Sequence, residues 1–476
     1  MKNAGPMSDY VYDAVRYSNN PYAQTHPDRL ATVAILHGLE PPDPFHARVL
    51  ELGCGAGGNL IAMAATTPGI RAVGVDLAAR PIAEGRAVIA DAGLENVSLV
   101  QADVRDLGAL GEFDYVVAHG LYGWIPADAR DAMLATIRSS LAPGGVAYVS
   151  YNVHPGGYFR LMLRDAGLWH ARHERGELAV AGKAQELYAF LQAGRARETD
   201  TYGSLLAREL PPLADGPLYR LVHDDLSEHW HPVWFAEFAA HAGRYGLAYV
   251  GDADLYDVRA EPLASGLVDD VWKLADGDRV AFENYSDLLT ARHFRQSVLC
   301  REDDAGGVVP EPIPERCARL HWAVRLRAEP LTEGLGADVF ALLDEVRPQT
   351  LAFAALQERL GVDRDALAGA LLDGFRREAL IPHAGPLPAA AVPGPRPVAS
   401  RLARWQAAQG PEILSLVYTV VRMEEPAARV LITLLDGTRT RDEIRGELAA
   451  RTGLSLSAED LDRNLVELAR LFLLEA

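Results

Sequence analysis

Apolar residues in the first third of the chain fall into short runs, each followed by a stretch with helical spacing. Val49-Leu50-Glu51-Leu52 is the first run. Residues 71–77, 97–104 and 113–119 supply three more, and 141–150 reads as a helix end, a turn and a fifth strand. Short Val- and Leu-rich runs bounded by Gly, Pro and Asp predict strands, and their alternation with helical intervals predicts a doubly wound α/β sheet. Residues 155–215 read as mostly helical, with an amphipathic run opening at Arg160. A helix is expected from Val233 to Tyr245, a strand over 247–255, a helical stretch to about Leu289 and a last strand at 294–301. The two late strands complete a seven-stranded sheet.

The same pattern divides the chain. Residues 1–45 form an N-terminal arm or lid, in which Tyr10, Tyr12, Tyr17 and Tyr22 crowd together and helical spacing begins at Arg29. Residues 46–154 and 218–302 form the sheet domain, and 155–217 a helical cap inserted into it. A linker with prolines at 310, 312 and 314 spans 303–330. Residues 331–384 and 405–476, separated by a Pro-rich linker at 385–404, look like two copies of one unit. Each reads as three helices and a short strand, which is the winged-helix order. The short strands are expected after Phe375 and at 472–474.

The turn after the first strand carries the chemistry. Glu51-Leu52-Gly53-Cys54-Gly55-Ala56-Gly57 follows E-x-G-x-G-x-G and not the dinucleotide pattern G-x-G-x-x-G. Glycines allow a sharp strand-to-helix turn and close approach of a ligand to the backbone. An acidic residue beside the turn disfavours a pyrophosphate and suits a cation, and S-adenosylmethionine carries both an ammonium and a sulfonium. Asp76 ends the second run 25 residues after Glu51, the spacing at which a βαβ unit places a carboxylate on ribose hydroxyls.

Composition narrows the setting. The 476 residues are long enough for two or three domains. No run of about eighteen uncharged apolar residues predicts a membrane span, and the N-terminus lacks the apolar stretch of a secretory signal. Cys54, Cys300 and Cys317 have no metal-ligand spacing, so a cytoplasmic, reduced setting is expected. Net charge is −19, and about −5 over residues 331–476, which argues against nucleic acid as a partner. The winged-helix-like units are therefore expected to dock a peptide or a second copy, as in a homodimer, or to cap the fold. His223, His229 and His231 with Asp224 and Asp225 match no standard metal spacing, and no metal is expected.

The chain resembles the class I S-adenosylmethionine-dependent methyltransferases that carry a methyltransferase regulatory domain and a C-terminal winged-helix domain. This group includes rickettsial protein-lysine methyltransferases acting on an outer-membrane protein. The resemblance rests on Asn20-Pro21-Tyr22-Ala23-Gln24-Thr25-His26-Pro27, the tract from Leu50 to Asn59, His119-Gly120-Leu121-Tyr122-Gly123-Trp124-Ile125-Pro126 and Phe294-Arg295-Gln296-Ser297-Val298-Leu299-Cys300. The tract after strand five, Asn152 to Tyr158, departs from it. The fold it implies is α/β, a seven-stranded Rossmann-like methyltransferase sheet with a helical cap, taken as the regulatory region, and C-terminal winged-helix-like domains.

By that resemblance, Glu51, Gly53, Cys54, Gly55, Gly57, Asn59, Asp76, Leu77, Asp103, Val104 and His119 hold S-adenosylmethionine and its product S-adenosylhomocysteine. Asp103 corresponds to the acid that accepts from the adenine amine. His119, Tyr122 and Trp124, at the carboxyl end of the sheet, and Tyr17 from the arm are the catalytic candidates. Methyl transfer requires acceptor, carbon and sulfur in line with water excluded. A lysine acceptor, with a pKa of about 10.4, must also lose a proton. His119 is either a base or a positioning residue, and Tyr122 and Trp124 are wall. Strand four ends without the Asn/Asp-Pro-Pro-aromatic tract of enzymes that methylate DNA bases. The expected acceptor is a protein or peptide, with a lysine amine as the leading acceptor. The alternatives are tailoring of a ribosomally made peptide or of a small-molecule natural product, and a non-catalytic regulator.

Overall fold

The computed structural model describes residues 11–195, 198–253 and 265–476. Seven strands form one sheet: β1 (Arg48–Leu52), β2 (Arg71–Asp76), β3 (Val97–Gln101), β4 (Phe113–Ala118), β5 (Leu141–Asn152), β6 (Leu247–Asp252) and β7 (Phe294–Arg301). Their order is β3-β2-β1-β4-β5-β7-β6, with β7 antiparallel to both neighbours. Order reverses between β1 and β4, and the carboxyl ends on either side of such a reversal make the crevice where open α/β sheets bind ligands. Tyr10, Asp254 and Leu255 from the predicted segments lie outside the described residues.

The inner strands are apolar on both faces because helices cover both. Helices Pro27–Leu36 and Gly58–Thr66 pack one face through Leu30, Ala34, Leu60 and Met63. Helices Ala127–Ser140 and Phe235–Arg244 pack the other through Met133, Leu134, Ile137 and Phe238. One prediction needs correction at β5. The strand begins at Leu141, directly after a helix, and runs through Pro143-Gly144-Gly145 as an irregularity in its pairing with β4, not as a separate turn. Gly85, in the helix Ala79–Asp91, marks a close approach: a Cβ there would stand 2.2 Å from the carbonyl oxygen of Ala56 in the glycine turn.

The insertion is helical, as Gly156–His170, Glu177–Gly194, Thr201–Glu209 and Pro211–Ala214. Its core of Leu163, Ala184, Tyr188, Leu206 and Leu221 also takes in Val15 from the arm. The arm continues from the short helix Val11–Ala14, where Asp13 Oδ1 accepts from the Arg80 N–H at 2.8 Å, towards the glycine turn. It therefore ties the cap to the sheet domain.

The first C-terminal unit is larger than expected. It includes β8 (His321–Val324), which lies in the segment read as linker and pairs with β9 (Leu351–Ala352) and β10 (Leu380–His383). Trp322 is fully buried here, so this part of the linker is core. The second unit also starts early, with the helix Arg401–Gln409. Residues 472–474 form no strand; the chain end makes a single bridge, Glu475 to Ala389. Leu402 and Leu414 of this unit pack on Ile61, Ala62 and Ala65, the back of the helix that follows the glycine turn.

Candidate active site

β1 delivers Glu51 to the sheet end and the turn follows at once. Gly53, Gly55 and Gly57 all have positive φ, at 74°, 55° and 72°. This backbone strongly favours glycine. The Gly53 N–H donates to the Val75 carbonyl at 2.8 Å and Cys54 N–H to the same oxygen at 3.1 Å, stitching the turn to β2. Cys54 is buried, and burial pushes its thiol well up, so it is packing and not a nucleophile.

Asn59 is the hub. Its Nδ2 donates to Glu51 Oε1 and to Thr25 Oγ1, both at 2.9 Å, and its Oδ1 accepts the Tyr22 main-chain N–H at 3.0 Å. Asn19 Oδ1 accepts the Gly58 N–H. Arm residues 19–25 thus lie on the start of the helix Gly58–Thr66. Glu51 Oε2 is buried with no hydrogen-bond partner. Burial, reinforced by Asp76, pushes the Glu51 carboxyl up to about 8. A buried acceptor left open in this way suits a cationic ligand group.

Asp76 closes β2. Its Oδ2 accepts from the Gly55 N–H and its Oδ1 from the Ala78 N–H, both at 2.8 Å. Each oxygen keeps a second lone pair for a hydroxyl donor. Leu77, beside it, is 42% exposed and offers an apolar surface at the crevice. A Cβ placed on Gly55 would meet nothing within 4 Å, so the turn faces open space. Asp103 caps the turn containing Val104 and is paired with Arg105, Oδ2 to Nη2 at 2.6 Å, which holds its carboxyl below the usual range.

The acceptor candidates separate. His119 lies under Tyr22, ring centroids 4.0 Å apart, and its Nδ1 meets Tyr148 Oη at 3.0 Å and Ser150 Oγ at 3.2 Å. Burial lowers its pKa to about 4. The Trp124 indole N–H donates to the Asp224 carbonyl at 3.3 Å, and Tyr17 Oη donates to Asp224 Oδ1 at 3.1 Å. Tyr122 does not join them. Its ring packs edge-on against Phe238 and beside Tyr151, and its hydroxyl is held by His241 Nδ1 at 2.9 Å. Only 3% exposed, it is core on the far face of the sheet.

Sequence reasoning missed Tyr22 and Asn19 as site residues and read Asp224 only as part of a histidine-rich tract. Among the described residues no group of three or more His, Cys, Asp or Glu is placed to hold a metal ion. His223 instead bonds the Val15 carbonyl at 2.8 Å and lies under Tyr12. A polar His-Asp-Asp triplet inside the apolar Leu221 to Leu226 stretch was the available signal.

Three protein-family models match in succession: a methyltransferase domain over residues 49–145, a predicted methyltransferase regulatory domain over 218–301 and a PKMT C-terminal winged-helix domain over 395–457. The uncharacterized protein RP028 of Rickettsia prowazekii is 31% identical over 228 residues, 48% of this chain and 91% of that one. The chain belongs to this family of methyltransferases. The regulatory match falls on the stretch that supplies β6 and β7, and the helical insertion lies outside all three matches. RP789 of the same organism is 32% identical over 305 residues, 64% of this chain, which spans only 55% of that relative. The fold matches that of PKMT2 from Rickettsia typhi, with a TM-score of 0.80, 22% identity and coverage of 96% of this chain and 100% of that one. PKMT2 has also been solved in complex with AdoHcy; that structure matches with a TM-score of 0.79 at 23% identity.

Proposed function

We propose that this chain transfers a methyl group from S-adenosylmethionine to an amine on a polypeptide, with lysine as the acceptor, in the cytoplasm. The observation that carries the cofactor is the open, buried Glu51 Oε2 above a glycine turn, with Asp76 beside it. Glu51 would receive the ligand's ammonium, Asp76 its ribose hydroxyls and Leu77 its adenine face. When bound, the cofactor supplies an electrophilic methyl group on a sulfonium. Tyr22, Tyr17 and Trp124 would wall the acceptor side and exclude water, and an aromatic wall favours a cation as well.

The acidic character of that wall separates acceptor classes. A trans-aconitate 2-methyltransferase of Azoarcus is 28% identical over 204 residues, 41% of this chain, and its name describes methylation of a small acid. A carboxylate acceptor entering here would meet Asp224, a like charge, whereas an ammonium would be attracted. The C-terminal units, acidic overall, fit docking of a peptide or a second copy better than of nucleic acid.

The test is incubation of the full chain with methyl-labelled S-adenosylmethionine and three acceptor pools: unfolded lysine-containing polypeptides, short peptides without lysine, and small carboxylic acids. Label on the first pool supports the reading. Label confined to either of the others overturns it.

A further inference from the structure

We propose that Asp224, held by Tyr17, is the group that receives the acceptor ammonium and takes its proton. The assignment rests on the amine-acceptor reading above and names the residue that would serve it.

Position comes first. Residues Leu221–Asp225 form one π-helical turn, closed by the Leu226 N–H on the Leu221 carbonyl at 2.8 Å. Such widened turns recur at functional sites because they redirect a side chain. The Trp124 indole pins this turn to the segment after β4, at the carboxyl end of the sheet. Tyr22 connects it to the cofactor side. Its ring lies on His119, its N–H bonds Asn59, and burial with the carboxylates of Asp224 and Glu51 pushes its phenol up to about 12. Both carboxylates thus act electrostatically on this one aromatic residue.

Among the other titratable groups nearby, His119 and Asp225 are engaged, and His223, which keeps a buried Nδ1 without a partner, has its basicity lowered by burial. His119 Nδ1 is shared between Tyr148 and Ser150, and its basicity is lowered. His223 is bonded to the Val15 carbonyl, and Asp225 Oδ1 accepts from Arg160 at 3.1 Å. Asp224 is held more loosely. Oδ1 accepts a neutral phenol, and Oδ2 is ion-paired with the Arg220 Nε at 3.7 Å, longer than a hydrogen bond. That oxygen keeps capacity for an incoming N–H donor, and the Arg220 side chain, 44% exposed, has solvent to move into. Burial, then Asp225, pushes the Asp224 carboxyl up to about 7, which raises its proton affinity towards that of a desolvated amine.

The step balances. The lysine ammonium gives one proton to the Asp224 carboxylate and becomes a neutral amine. The nitrogen lone pair forms the N–C bond as the C–S bond breaks, and that bond's electrons stay on sulfur as a neutral thioether. The product is a methylammonium, and Asp224 later returns its proton to water.

The test uses the full chain, methyl-labelled S-adenosylmethionine and an unstructured peptide with one lysine. Asp224→Asn, Asp224→Glu and Tyr17→Phe are compared with the parent in thermal midpoint, S-adenosylhomocysteine affinity and the pH profile of kcat/KM. Parent activity should rise with pH through an acidic limb near 7, with Tyr17, Tyr22, Asp225 and Arg220 as the groups acting on the carboxyl and His223 against the Tyr17 ring. Asp224→Asn should lose that limb and about 100-fold in rate at neutral pH, keep its midpoint and cofactor affinity, and recover at alkaline pH where the ammonium loses its proton to solvent. Asp224→Glu should restore the limb. Tyr17→Phe should move it to higher pH, because the Tyr17 hydrogen bond holds the carboxylate down. An Asp224→Asn variant with the parent's limb and rate overturns the assignment. If that variant fails to fold, an unmoved limb in Tyr17→Phe overturns it instead. A parent that binds S-adenosylhomocysteine but labels no amine overturns the amine reading, and this assignment falls with it.

Discussion

Asn59 and Glu51 form a buried pair across the glycine turn, Nδ2 to Oε1 at 2.9 Å, and this bond leaves the other Glu51 oxygen enclosed and open. The pairing holds the carboxyl rotamer from the helix side. A ligand cation would supply what the protein does not.

Ligand affinity should therefore depend on pH. In the free protein Glu51 titrates near 8, so much of it is protonated at neutral pH. An ammonium binds the ionised form better, and affinity for S-adenosylhomocysteine should rise between pH 6.5 and 9. Glu51→Gln should flatten that rise and weaken binding by about tenfold, roughly 1.4 kcal/mol. Calorimetric titration at several pH values reads both; an unchanged slope in the variant refutes the role.

Stability of the free protein should move the opposite way. The folded-state pKa of Glu51 lies above its ordinary value of 4.5. The associated stability is complete below pH 4.5 and is lost as pH rises through about 8. Glu51→Gln should match the parent near pH 4.5 and exceed it at pH 8.5 by on the order of 3 kcal/mol. Denaturant melts at the two pH values measure the difference.

Asp28 joins the helix Pro27–Leu36 to the first winged-helix-like unit, with Oδ2 on His383 Nδ1 at 2.6 Å and Oδ1 on the Ala384 N–H at 2.7 Å. Burial opposes its ionisation, yet His383, His26 and that amide leave the carboxyl below its usual 3.8. Its stabilisation is present above pH 3.8 and is lost as pH falls through the lower folded value. Asp28→Asn should cost about 3 kcal/mol at pH 7, since it unpairs a buried partner. The cost should shrink below pH 3.8, as read by chemical denaturation.

The second winged-helix-like unit should support the cofactor turn mechanically. Leu414 is 3% exposed against Ile61 and Ala65. Leu414→Ala should destabilise by about 2–5 kcal/mol and speed hydrogen exchange in Gly58–Thr66. Unchanged exchange there would show that the contact does not brace the turn.

Tyr122 and Trp124 should behave differently although they share one short turn. Tyr122→Phe removes a hydroxyl bonded to His241 and should cost about 1 kcal/mol of stability, with acceptor KM unchanged. Trp124→Phe removes the indole N–H from the Asp224 carbonyl and should raise acceptor KM.

The sheet domain was legible because strand and turn signals are local. Apolar runs placed all seven strands, and Glu51, the three glycines and Asp76 reveal their geometry by spacing alone. What failed to show was set by distant packing. Trp322 makes a strand of a Pro-rich linker only once helices Gly334–Glu345 and Arg364–Arg376 enclose it. Tyr122 and Trp124 are two residues apart, and only Phe238 and His241, more than a hundred residues later, decide which is core. Tyr17 and Asp224 are 207 residues apart, so no local pattern could pair them.

A crystal structure of the full chain with S-adenosylhomocysteine tests the account most directly. The ligand ammonium should reach Glu51 Oε2, its ribose should reach Asp76, and its sulfur should open towards Asp224 and Tyr17. A ligand whose carboxylate, not its ammonium, faces Glu51, or whose sulfur is walled off from Asp224, would contradict it.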